Sequence, residues 1–245
     1  MNKEFSQGLR AGIPICLGYF SVSIGFGIMA IQSGLPIWTA VVISLTNLTS
    51  AGQAAGVVVI AGAGSYLEMI LTELLINLRY CLMALSLSQH RTGFSLPHRA
   101  AAAHGITDEI FGVCASRPEP ITPFYMYGIT VIATIGWVGG TFVGAVCGAV
   151  LPELLTDALG IMLYGMFIAV IIPPIRTSWT NLAVILIAAA VSCVIYYCLP
   201  VITSGFAIII SAVIAAAILA VIAPVSDDGE DAPAPTTFAE AEGGN

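Results

Sequence analysis

The chain has 245 residues, of which 58% are hydrophobic and 9% charged, with a mean hydropathy of +0.98. Soluble domains carry roughly 25% charged residues, so this composition excludes one and leaves an integral membrane protein. The formal charge of −7 does not indicate a nucleic-acid partner: six acidic residues and no Lys or Arg lie in 226–245, which leaves the body at −1 without a basic stripe.

Apolar runs separate at Pro, Gly and charge clusters into about seven segments: 11–31, 37–62, 66–87, 121–150, 156–172, 179–199 and 203–224. Each is long enough to span, since about 20 apolar residues cross roughly 30 Å of hydrocarbon. The expectation is an all-α integral membrane protein with one transmembrane domain over 1–225, one or two interrupted helices, and a layout compatible with two structural repeats. The first segment follows Lys3 and Arg10 as a leader would, but its length, Pro14 and the missing small-residue cleavage site predict a mature helix.

The second segment is unlike a plain span. Between Asn47 and Gly56, six of ten residues are polar or glycine. Irregular backbone at membrane depth is tolerated only where protein buries it or water lines it, so a helix break here marks a cavity or path. Asn47, Thr49, Ser50, Gly52 and Gln53 are therefore candidate substrate-binding residues. Whether the segment crosses or turns back stays open. Lys3 and Arg10 on one hand, and Arg91, Arg99 and Arg117 in the 88–120 loop on the other, belong on the cytoplasmic side by the positive-inside tendency. That requires an even number of crossings between them, whereas three segments intervene.

The third segment carries Glu68, Glu73, Asn77 and Arg79. Ionisable groups in hydrocarbon cost at least about 2.5–3.5 kcal/mol each on insertion scales and normally face a cavity or partner. At 100° per residue, Glu73, Asn77 and Tyr80 share one face and Glu68, Thr72 and Arg79 another. Glu68 can be solvated near the headgroups, and Arg79 can snorkel or form an ion pair. Glu73 is deeper and is the candidate for proton exchange, with Asn77 beside it as a substrate contact.

In the loop, His90, His98 and His104 lack the regular spacing of a metal site. Thr107-Asp108-Glu109 reads as a helix N-terminus, with Asp108 and Glu109 as further ion-pair or proton-coupling candidates. Gly136, Gly140, Gly144 and Gly148 form a four-residue stripe suited to close helix packing, within the chain in preference to between subunits. Leu35-Pro36 and Leu151-Pro152 lie 116 residues apart, an offset that carries 49–53 onto 165–169, just before Pro173-Pro174; paired interrupted helices are the layout of repeat-built transporters. The six cysteines show no metal or disulfide spacing and read as packing residues. Residues 226–245 read as an acidic disordered tail. No nucleotide loop, nucleophile elbow or catalytic triad is present, so nothing supports an enzyme, a cofactor or a metal.

Four stretches carry a family resemblance: Gly8-Leu-Arg-Ala-Gly-Ile-Pro14 with Gly25-Phe26-Gly27, Ala51-Gly52-Gln53, Asn77-Leu78-Arg79, and Thr107-Asp108-Glu109. In their order and spacing the chain resembles the AzlC family of branched-chain amino acid permeases, with Tyr80 and Gly52 departing from the commoner His and Ala or Ser. The resemblance implies export of hydrophobic amino acids across the cell (inner) membrane, with a small AzlD-like membrane subunit as partner. A passive small-solute channel and a non-transporting scaffold are the alternatives.

Overall fold

The computed structural model describes residues 3–152 and 178–222, with scattered positions between 154 and 176. The described residues form helices and no strand. These are α1 (Lys3–Gln32), α2 (Ile37–Thr46), α3 (Ser50–Ala61), α4 (Tyr66–Gln89), α5 (Leu96–Ala103), α6 (Asp108–Ala115), α7 (Pro123–Val150), α8 (Trp179–Cys198) and α9 (Ser204–Ile222). Five of them, α1, α4, α7, α8 and α9, are long and apolar enough to cross a membrane, while α2 and α3 are short apolar pieces. The expected seven segments thus appear as five long helices and one segment split in two; the segment at 156–172 lies mostly outside the described residues, as does the tail at 226–245.

The frame is the α1–α7 pair, and the glycine stripe explains it. A Cβ on Gly136 would overlap the carbonyl of Cys16, one on Gly140 that of Phe20, and one on Gly144 that of Ile24. Lacking that carbon, the two backbones meet directly, which in lipid is the main source of helix attraction. The stripe is used within the chain. Each facing pair is offset by 120 residues, and the contact is reciprocal at its start, where Gly8 meets Tyr125 and Gly128 meets Phe5. The two helices therefore run parallel and in register.

Parallel α1 and α7 require an odd number of crossings between them. Helix α4 supplies one, so α2 and α3 together must supply none. The packing agrees. Ala40 of α2 and Ala54 and Val57 of α3 share one core cluster with Phe26, Ala30 and Ala145 at the far end of the pair, whereas Leu48 between them packs with Ile15, Tyr19 and Trp137 in mid-pair. The chain enters, turns at 47–49 and returns. Residues 37–61 form a re-entrant pair of half-helices, about 15 and 18 Å long at 1.5 Å per residue.

That geometry removes the conflict in the charge pattern. The start of α1 lies beside the 88–120 loop, with Arg117 Nη2 donating to Glu4 Oε2 at 3.0 Å and Thr122 Oγ1 to the same oxygen at 3.1 Å. Both basic regions thus occupy one side, the side that the positive-inside tendency assigns to the cytoplasm.

One expectation on α4 is corrected. Glu68 is not solvated near headgroups; it is 2% exposed, and its Oε1 accepts the Gly205 N–H at 2.9 Å and the Thr203 hydroxyl. A carboxylate matches the free N–H groups of a helix start, so Glu68 ties α9 to α4. The offset of 120 between α1 and α7 is close to the 116 read from the Leu-Pro pairs; most of 165–169, where the second break was expected, lies outside the described residues. All six cysteines are free thiols, and burial of Cys114 pushes its thiol up to about 12.

Candidate functional site

The break spans Asn47 to Thr49, where Asn47 takes an extended conformation (φ −142°, ψ 124°). Its Oδ1 accepts the Thr49 N–H at 2.9 Å, a local side-chain turn that competes with the helix. Helix α3 then starts without a side-chain cap: Thr49 makes no capping bond, and its hydroxyl is buried without a partner. An uncapped helix start leaves amide donors and a partial positive charge at membrane depth.

Gln53, one turn into α3, holds the break in place. Its Oε1 accepts the indole N–H of Trp137 at 2.8 Å, and its Nε2 donates to Ser44 Oγ at 3.1 Å; Ser44 in turn lies 2.7 Å from Thr141 Oγ1. All four side chains are buried. The chain of bonds joins α2, α3 and α7, so each half-helix is fixed to the glycine-packed frame. The structure uses the Gln53 amide inside this scaffold and not on the cavity wall.

The cavity beside the break has a volume of about 510 Å³ and is partly open, within the roughly 300–1,000 Å³ common for small-molecule sites. Its apolar wall is one face of α1, Pro14, Ile15, Gly18, Tyr19 and Val22, with Leu48 and Trp137 opposite. Ser50 and Ala51 bring the uncapped start of α3 to it, and its polar end is made by Arg79, Tyr80, Thr107, Asp108 and Glu109.

Two links close that end. Arg79 Nη2 lies 2.9 Å from Asp108 Oδ2, with side chains 41% and 48% exposed; a pair so wet is worth at most about 1 kcal/mol and can open. Tyr19 donates its hydroxyl proton to Glu109 Oε2 at 2.6 Å and lies 2.7 Å from Thr107 Oγ1. Thr107 also accepts the Ile110 N–H at 3.4 Å, the N-cap expected from the sequence. Partial burial holds the Asp108 carboxyl above the usual carboxylate range, against the pull of Arg79 and with the push of Glu109.

A second polar cluster sits against α3. Glu73 Oε2 accepts from Asn77 Nδ2 at 2.8 Å. The carboxyl lies over Gly52 and Gly56, where an added Cβ would come within 2.6 Å and 3.2 Å of its oxygens. Asn77 Oδ1, like the Thr49 hydroxyl, is buried without a partner.

Of the candidates, Ser50, Arg79, Asp108 and Glu109 therefore line the cavity. Asn47, Thr49, Gly52, Glu73 and Asn77 gather next to it around the break, and Gln53 belongs to the scaffold. Tyr19, Trp137 and Gly18 were not singled out by sequence reasoning, and Pro14 was read only as an interruption of the first segment and as part of a family stretch. The available signal was a tryptophan inside the glycine stripe, whose N–H needs a partner when buried.

A multi-helix chain with a re-entrant pair of half-helices facing a partly open cavity is a polytopic membrane protein. The chain belongs to the AzlC family: the model of that family, described as AzlC protein, matches residues 14–151. It is 27% identical over 182 residues to an uncharacterized membrane protein of Archaeoglobus fulgidus, covering 74% of this chain and 80% of the other. It is 24% identical over 208 residues to inner membrane protein YgaZ of Escherichia coli, covering 82% and 85%. A membrane protein of Helicobacter pylori shares 26% over 152 residues, covering 60% and 65%. No solved structure matches the chain. Family and fold are consistent with a membrane transporter of the AzlC type.

Proposed function

We propose that this chain is the translocating subunit of a secondary transporter that exports branched-chain or other hydrophobic amino acids, is coupled to protons, and works with a small membrane partner subunit. The observation that carries the reading is the uncapped start of α3 beside an apolar cavity that also holds Arg79, Asp108 and Glu109. A zwitterion with an apolar side chain fits those three features together. Its carboxylate is suited to the α3 amides and Arg79, as anions are to helix starts. Its ammonium is suited to Asp108 and Glu109, and its side chain to the wall of Ile15, Val22, Leu48 and Trp137. Because the Arg79–Asp108 pair is exposed and weak, the two charges of the substrate can replace its two partners.

The partner subunit rests on the family resemblance, and the coupling on Glu73, the carboxyl in contact with the break. Counterflow of labelled leucine in proteoliposomes, with and without the partner, tests the reading. The expected result is saturable exchange competed by isoleucine, valine and methionine, since one methylene is worth only about 1–3 kcal/mol in an apolar pocket. Non-saturable flux would identify a passive channel, and no flux of any solute a scaffold. Glu73→Gln is expected to retain leucine exchange while losing its dependence on a proton gradient. Gradient-driven export that persists at the wild-type rate in this variant, at normal expression, removes the proton role.

A further inference from the structure

Glycine in the middle of a helix lowers its stability by about 1 kcal/mol relative to alanine, so a glycine inside α1 calls for a physical reason. For Gly8, Gly12 and Gly27 the reason is contact: a Cβ at any of them would strike α7. Gly18 is different. A Cβ built there meets nothing within 4 Å, and the position lines the cavity one turn after Pro14 and one turn before Val22. No packing against the described residues requires a glycine at this point. What it provides is space in the cavity.

We infer that Gly18 sets the upper size limit on the substrate side chain. This rests on the proposed transport of apolar amino acids and goes beyond it by assigning the residue that selects among them. The α1 face carries Pro14, Gly18 and Val22 at successive turns. With a bare backbone in the middle, it leaves a notch between Pro14 and Val22. The polar end of the cavity fixes where the charged groups of an amino acid lie, so a notch in the apolar wall receives a branched side chain. A Cβ at position 18 would enter that notch without meeting any described neighbour within 4 Å.

The test is counterflow selectivity in proteoliposomes of the full chain with its partner subunit, comparing Gly18→Ala and Gly18→Leu with wild type for leucine, valine and alanine. The expected result is a stepwise fall in the leucine-to-alanine ratio, about tenfold or more for Gly18→Leu, since pocket discrimination per methylene is about 10–200-fold. Alanine exchange persists. Gly18→Ala keeps the test decisive should the larger variant fail to fold, because alanine favours the helix. A wild type active on all three substrates with unchanged ratios in the variants overturns this assignment alone. A wild type that exchanges no apolar amino acid overturns the transport reading and the assignment with it.

Discussion

Replacing Gly140 with leucine is expected to abolish a folded, monodisperse protein in detergent. A side chain there starts inside the radii of the Phe20 carbonyl and the Ser23 hydroxyl, and both belong to the helix against which α7 is packed. Backbone cannot rotate away as a flexible side chain can, so α1 and α7 must separate along their shared register. Overpacking that side chains absorb costs about 1–3 kcal/mol; a clash that forces two helices apart exceeds that range and forfeits the contact that holds them in lipid. Gly139 supplies the control. It is the adjacent residue, and an added Cβ meets only the Phe20 ring, at an ordinary 3.7 Å. Size-exclusion profiles and melting temperatures should therefore distinguish Gly140→Leu, lost, from Gly139→Leu, retained. Equal behaviour of the two would contradict the α1–α7 packing described above.

The second large effect concerns the break. Gln53→Met removes an amide that satisfies the indole N–H of Trp137 and the hydroxyl of Ser44 at once. Interhelical hydrogen bonds in membrane proteins average only about 0.6 kcal/mol, which by itself would make this a mild change. Leaving a buried group unsatisfied costs more, about 1–3 kcal/mol, and Trp137 is 1% exposed. The expected destabilisation is thus about 2 kcal/mol, and leucine counterflow should fall with it, since α3 and Trp137 both reach the cavity. A double-mutant cycle isolates the bond. Gln53→Met combined with Trp137→Phe should cost less than the two single changes together, with a coupling of at least about 0.5 kcal/mol. Strict additivity would show that the two side chains do not interact.

Much of this was legible one helix at a time. Polar and glycine residues from Asn47 to Gly56 cannot sit in a lipid-facing span, and the helix breaks within that run, at 47–49. The glycine stripe of α7 reads as a packing face, and it is one. Thr107 reads as an N-cap and accepts the Ile110 N–H as such. Each of these depends on the local cost of exposing a polar group or the local benefit of omitting a side chain, and both are written in neighbouring residues.

Periodicity reveals which side chains share a face but not which neighbour that face meets. Glu68 reads as a headgroup-level carboxylate until Gly205, 137 residues away, is seen to donate to it. Gln53 reads as a polar residue of the break with no named partner, and Trp137, 84 residues away, donates to its oxygen. Asp108 and Arg79 each read as an ion-pair candidate without a named partner until α4 and α6 bring them to 2.9 Å. The amino-acid sequence by itself determined a helical membrane protein with a break near Ser50, because desolvation penalties act residue by residue. Only the tertiary structure decided that the broken segment turns back: that follows from α1 and α7 running parallel, a relation between distant helices set by backbone contact at their glycines.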